Sequence, residues 1–141
     1  MAENFGGENT TTARQVLRLN VKFDDTDSAG AGVEGTVIDM GSIPANAYPT
    51  NIQVFGRTVF NSGTSDVLDI GFGAFGSTSA DPNAFTAALD ITASGELTVT
   101  KLLMGDVQST TENVPITATW TAVGAAATTG EIEINLEYVQ L

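Results

Sequence analysis

Residues 14–23, RQVLRLNVKF, and residues 131–141, EIEINLEYVQL, carry the clearest strand patterns in the chain. In the first stretch, apolar and polar side chains alternate from Leu17 to Phe23. In the second stretch, the same alternation runs from Ile132 to Tyr138. A period of two places one set of side chains on a buried face and the other set on a polar face. Both stretches therefore predict half-buried β-strands.

Shorter strand patterns separated by Gly, Pro, Asn and Asp fill most of the chain between these two stretches. We expect a bulge or a close backbone approach at Gly56, and a single helical turn at residues 83–89. A parallel sheet needs crossover helices, which the sequence lacks. The sequence therefore predicts an all-β fold, an antiparallel β-sandwich or jelly roll of about seven or eight strands. The remaining strand patterns lie near residues 33–40, 52–60, 67–72, 97–103 and 114–123.

The N-terminal residues differ in character from the rest of the chain. Residues 1–13 are polar, rich in Gly and Thr, and have no hydrophobic period, which is typical of a flexible arm. Phe5 is the one aromatic side chain that this arm offers to a partner. Residues 14–141 are predicted to form a single β-sandwich domain, because 141 residues suit one domain.

The composition excludes several classes of function. The chain has no Cys and no His, which removes thiolate nucleophiles, sulfur-based zinc sites and the usual acid–base residue. Its net charge of −12 disfavours nucleic acid as a partner. No secretory signal or apolar span of about 20 residues is present, so we expect synthesis in the cytoplasm and no membrane partner. We predict a protein that is not an enzyme and needs no cofactor.

Two motifs suggest ligand sites but lack the expected context. Residues 71–76 have the G-x-G-x-x-G spacing of dinucleotide-binding loops, but no helix follows the last glycine. Asp24, Asp25 and Asp27 are weak candidates for calcium ligands, against the alternative of a solvated turn that favours Asp. We predict no metal site.

Asp66 and Asp69 are expected to flank Leu68 on the solvent-facing side of a strand. Trp120 shares the parity of Ile116 and Ala118, which favours a place in the core over a sugar-stacking platform.

The candidate partner contacts are basic and aromatic. Arg14, Arg18 and Lys22 lie close together in an acidic chain. They are interpreted either as the polar face of a strand that pairs with Glu133 and Glu137, or as a surface that docks on an acidic neighbour. Tyr48, which lies between two prolines in an expected loop, is a further candidate for an exposed contact.

Residues 59–73, VFNSGTSDVLDIGFG, and residues 80–98, ADPNAFTAALDITASGELT, resemble a pattern in head decoration or cement proteins of tailed bacteriophages. The resemblance covers roughly residues 43–103, and none of its elements is a catalytic signature. It implies a β-sandwich or jelly-roll subunit, commonly a homotrimer, on the outer capsid surface of the virion. Such a subunit binds the major capsid protein and stabilises contacts between capsid subunits.

A second function is compatible with the same strands and turns. A carbohydrate- or receptor-binding β-sandwich of a tail fibre or surface adhesin would use loop aromatics for binding. The candidates for that role are Tyr48, Phe72 and Phe75.

Overall fold

A computed structural model describes residues 14–99 and 111–140. These residues form eight β-strands and no helix. No helix in this part of the chain has the length and apolar character needed to cross a membrane. The strands are β1 (Arg14–Lys22), β2 (Val37–Ile43), β3 (Ala47–Thr58), β4 (Ser65–Phe72), β5 (Asp81–Asp90), β6 (Gly95–Leu97), β7 (Val114–Val123) and β8 (Glu131–Gln140).

The strands pair as if one long hairpin had been folded over on itself. The first strand pairs with the last, β2 with β7, β3 with β6 and β4 with β5, all antiparallel. This wrapping gives one sheet of order β1-β8-β3-β6 and a second of order β2-β7-β4-β5. Eight antiparallel strands in two such sheets form a jelly roll. The predicted all-β antiparallel sandwich is confirmed.

The core lies between the two sheets because each strand turns its apolar set inward. In β7, Ile116, Ala118 and Trp120 are at most 2% exposed, as their shared parity predicts. In β8 the buried apolar set begins at Ile132. Gly56 brings β3 close to Ala93, where a Cβ atom would overlap the backbone, and a bulge follows it, as expected.

Three local predictions are wrong. Residues 83–89 lie in β5 rather than in a helical turn, because they pair with β4 through two bulges. Tyr48 lies in β3 and not in a loop, since the chain between β2 and β3 is only three residues long. Asp66 is fully buried, because it shares the inward parity of Leu68. The strand predicted at residues 97–103 overlaps β6 only at Leu97, where β6 ends. Residues 100–103 lie outside the described part of the chain.

Within residues 14–99 and 111–140, each edge strand of the two sheets carries a feature that discourages the addition of another strand. Cationic side chains line β1, and a bulge between Asp39 and Gly41 interrupts β2. Pro82 and two register shifts interrupt β5, and β6 has only three residues. Partners are therefore expected to contact the faces or ends of the sandwich rather than extend its sheets.

Candidate docking face

The described cations lie on the outer face of one sheet. Arg14, Arg18 and Lys22 point outward from β1, and Arg57 is exposed on β3. The strands of the other sheet contain no Lys or Arg. We call the outer side of β1, β8 and β3 the charged face. The fifth cation, Lys101, lies outside the described residues.

Strand register aligns the candidate contacts into rows across this face. Arg14 of β1 is opposite Val139 of β8, which is opposite Tyr48 of β3. Two predicted contact residues therefore lie at the same end of the charged face. At the other end, Lys22 is opposite Glu131. Residues 1–13, including Phe5, lie outside the described part of the chain.

Ion pairs connect the strands of the charged face. Arg14 Nη1 lies 3.5 Å from Glu137 Oε1, and Arg57 Nη2 lies 2.6 Å from Glu133 Oε1. Arg18 and Lys22 have no carboxylate of the described residues within 4.0 Å. The predicted pairing of β1 with Glu137 is thus confirmed for Arg14. Glu133 pairs with Arg57, a partner that was not predicted.

The Arg57–Glu133 pair changes the titration of both groups. The hydrogen bond from Arg57 is the largest cause that lowers the pKa of Glu133, followed by one from Asn135. The same bond raises the pKa of Arg57. A lowered carboxyl pKa stabilises the fold above the pKa of the unfolded chain. That contribution is lost as the pH falls through the folded-state pKa.

Replacing the arginine should therefore restore the ordinary titration of its partner. We expect Arg57→Ala to raise the pKa of Glu133. This pKa is measured by NMR titration of the side-chain carboxyl carbon of Glu133. Arg14→Ala is the matched control, because Arg14 contacts Glu137 instead. A Glu133 pKa that rises equally in both variants, or in neither, would contradict this assignment.

Asn135 lies at the centre of the charged face between Arg18 of β1 and Gln53 of β3. It is only 9% exposed, and its Nδ2 donates to Glu133 Oε2 at 3.1 Å. Its Oδ1 is buried and accepts no hydrogen bond from the described residues. A buried acceptor without a donor is costly, so Asn135 Oδ1 is a local cost to the stability of this face.

The acidic turn uses its side chains to hold the backbone. Asp25 Oδ2 accepts a hydrogen bond from the N–H of Lys22, and Asp27 Oδ1 accepts from the N–H groups of Ala29 and Ala31. Such bonds are typical of Asp in turns. Within residues 14–99 and 111–140, no three His, Cys, Asp or Glu side chains form a metal-binding group. Calcium binding by Asp24, Asp25 and Asp27 stays an untested hypothesis.

Two of the aromatic residues proposed for sugar binding lie in one aromatic cluster. Phe72 is 8% exposed, and the ring of Phe75 packs edge-on against it at 5.7 Å. Phe85 lies on the other side of Phe72, at 6.3 Å between ring centroids. Phe72 therefore belongs to the core, and Tyr48 is half-buried in the charged face.

Asp66 is a structural site that the sequence reasoning missed. Its Oδ1 accepts hydrogen bonds from Ser62 Oγ at 2.7 Å and Trp120 Nε1 at 2.9 Å. Its Oδ2 accepts from the N–H of Ser62 at 2.8 Å. The signal was present in the sequence, because Asp66 shares the parity of Leu68 and Ile70. A carboxyl group on an apolar parity indicates a buried hydrogen-bonding centre.

The fold is similar to chains in solved phage capsids. One is in the capsid asymmetric unit of cyanophage Pam1, with a TM-score of 0.63, 13% identity, and coverage of 93% of this chain and 87% of that chain. Another is in the capsid of Ralstonia phage GP4, with a TM-score of 0.61, 22% identity, and coverage of 92% of this chain and 84% of that chain. A third is in the acidic stable capsid structure of Helicobacter pylori bacteriophage KHP30. It has a TM-score of 0.54 and 12% identity, and the match covers 92% of this chain and 89% of that chain. No protein-family model or curated protein sequence matches the chain. At these identities, the likeness establishes a shared jelly-roll fold.

Proposed function

We propose that this protein is a structural component of a phage virion, where it docks on the outer capsid surface. There it stabilises contacts between major capsid subunits and has no catalytic role. The observation that carries the proposal is the collection of the described cations on one face of a protein with a net charge of −12. The similarity of its fold to chains in three phage capsids supports a place in such a particle.

The charged face has the groups that an acidic partner surface would need. Arg18 and Lys22 are exposed, and neither has a carboxylate of the described residues within 4.0 Å. The charge of Arg18 also contributes to the lowered pKa of Glu133. Val16, on the same side of β1, is 47% exposed and offers an apolar contact beside them. Charged groups at the rim of an interface mainly set orientation and association rate. We therefore assign orientation to these two exposed cations.

The first strand of the charged face begins at one end of it. β1 begins at Arg14, in the same row as Tyr48, so residues 1–13 join the sheet where these two side chains lie. In the proposed assembly, the arm reaches a neighbouring subunit and Phe5 anchors it. We further propose a homotrimer, in which each copy presents its charged face to the shell.

The proposal is tested by removing the positive charges of Arg18 and Lys22. We expect Arg18→Gln with Lys22→Gln to weaken binding to the major capsid protein of the same genome, assembled into shells, by about tenfold. Each charge contributes about 0.5–1 kcal/mol, and the loss should shrink as salt is raised. Binding is measured by co-sedimentation at several salt concentrations.

The control lowers the net charge by the same two units on the opposite sheet. Ser42 and Thr121 are exposed in β2 and β7, so Ser42→Asp with Thr121→Asp adds two negative charges away from the charged face. We expect this variant to bind shells as the wild type does. Equal weakening by both variants would show a general charge effect, and no binding by the wild type would refute the proposed function.

A further inference from the structure

A cleft of about 270 Å³ opens between the two sheets at one end of the sandwich. Phe23, which follows β1, forms one wall, and Trp120 and Ala122 of β7 form another. The loop after β7 closes the cleft with small side chains. The complete lining is Phe23, Glu34, Trp120, Ala122, Gly124, Ala125, Ala126 and Ala127.

The aromatic walls are held in place by contacts outside the cleft. The N–H of Phe23 donates to the carbonyl of Gly130 at 3.0 Å. The indole of Trp120 donates to Asp66, and its ring packs on Phe60 with centroids 4.8 Å apart. The one indole donor is already satisfied and Trp120 is only 2% exposed, so it offers the cleft a small area of apolar surface. These walls are thus preorganised for an apolar group.

Glu34 supplies the one charge in the lining. Its Oε2 accepts a hydrogen bond from the N–H of Ala122 at 3.1 Å, which ties the exposed side chain to the cleft. Its Oε1 has no hydrogen-bond partner in the part of the chain that the structure describes. No cation is among the residues that line the cleft. The electrostatic potential here favours a cation.

A cleft whose lining is partly apolar and partly polar, with one carboxylate, fits a group that has an aliphatic stem and a cationic end. Lysine and arginine side chains have this form, since they bury the stem and keep the charge at a polar edge. Nearby aromatic rings stabilise such a cation further. The volume lies just below the range of about 300–1,000 Å³ for drug-sized ligands, which suits a single side chain.

We propose that this cleft binds a lysine or arginine side chain of a protein partner, with Glu34 as the counter-ion. The bound side chain would act as an anchor residue, the kind of buried contact that dominates many interfaces. The cleft lies between the sheets rather than on the charged face. The inference therefore does not require the capsid function and can fail or hold independently of it.

The test uses n-butylguanidinium as the probe and n-butylurea as its neutral isostere, added to the full chain. In ¹H–¹⁵N spectra, we expect the cation to shift the Trp120 indole and the amides of Ala122 and Ala125. Glu34→Gln should weaken binding about fivefold or more, since it removes the charge but keeps a carbonyl for Ala122. Glu96→Gln, an equal charge change on β6, should leave binding unchanged.

Three results would overturn the proposal. Equal shifts with n-butylurea would show that the charge plays no part, and unchanged affinity in Glu34→Gln would remove the assigned counter-ion. Weaker binding of a capped Gly-Arg-Gly peptide than of n-butylguanidinium would indicate a site for small free cations. A peptide that binds at least as well, and loses affinity in Glu34→Gln, would support the proposed site.

Discussion

Asp66→Ala is expected to lower the free energy of unfolding by about 3–4 kcal/mol. The substitution removes three hydrogen bonds from a fully buried side chain. It also leaves the indole N–H of Trp120 and the backbone N–H of Ser62 without their acceptor inside the protein. Unsatisfied buried donors cost more than the bonds themselves contribute, which explains the size of the effect.

The effect is measured by urea unfolding followed through Trp120, the single tryptophan of the chain. We expect the melting temperature to fall by about 10 °C. Asp66→Asn should lie between wild type and Asp66→Ala, because its amide keeps one acceptor but turns N–H groups toward the N–H of Ser62. Asp69→Ala, on the same strand, loses a single bond from Ala88 and should cost about 1 kcal/mol. An equal loss at both positions would contradict the role of Asp66.

Gly71→Ala is expected to destabilise the protein by about 3 kcal/mol. A Cβ atom at Gly71 would overlap the carbonyl oxygen of Asp81 and lie 2.7 Å from the backbone nitrogen of Asn83. These atoms belong to β5, which pairs with β4 at this point, so they cannot move without loss of that pairing. The glycine therefore serves a close approach of two strands, although its spacing resembles a nucleotide-binding loop.

Gly32→Ala is the matched control for this substitution. A Cβ atom at Gly32 would meet nothing within 4 Å, so we expect a change within about 0.5 kcal/mol. Both variants are compared by thermal unfolding. If Gly71→Ala retained the stability of Gly32→Ala, the close contact between β4 and β5 would be wrong.

The sequence predicted the fold best where side chains alternate over many residues. The bounds of β7, Val114–Val123, agree with the predicted strand, since its inward set is unbroken. The error at residues 83–89 has a physical cause. Two bulges shift the register of β5 and Ala88 has a φ of 53°, so the period of two is lost there. Local patterns do not reveal a pairing that tertiary contacts impose.

Parts of the candidate site were predictable for the same reason. The outward parity of Arg14, Arg18 and Lys22 follows from alternation in β1 alone. The pairing of Arg57 with Glu133 was not predictable, because it depends on β8 lying between β1 and β3. The cleft at the end of the sandwich brings together Glu34 and Ala122, which are far apart in the chain. It could not be predicted from local patterns, because it forms only when all the strands are paired.

The pairing of the first strand with the last has a consequence for synthesis. The charged face requires β1 and β8 side by side, yet these strands come from opposite ends of the chain. Contacts this distant in sequence form slowly, because a long loop must close before they are made. A ribosome must therefore release the chain as far as the end of β8, at Gln140, before that surface exists. Incomplete translation products that end before β8 would lack this surface. Under the proposed function, they would not compete with finished molecules for places on a growing particle.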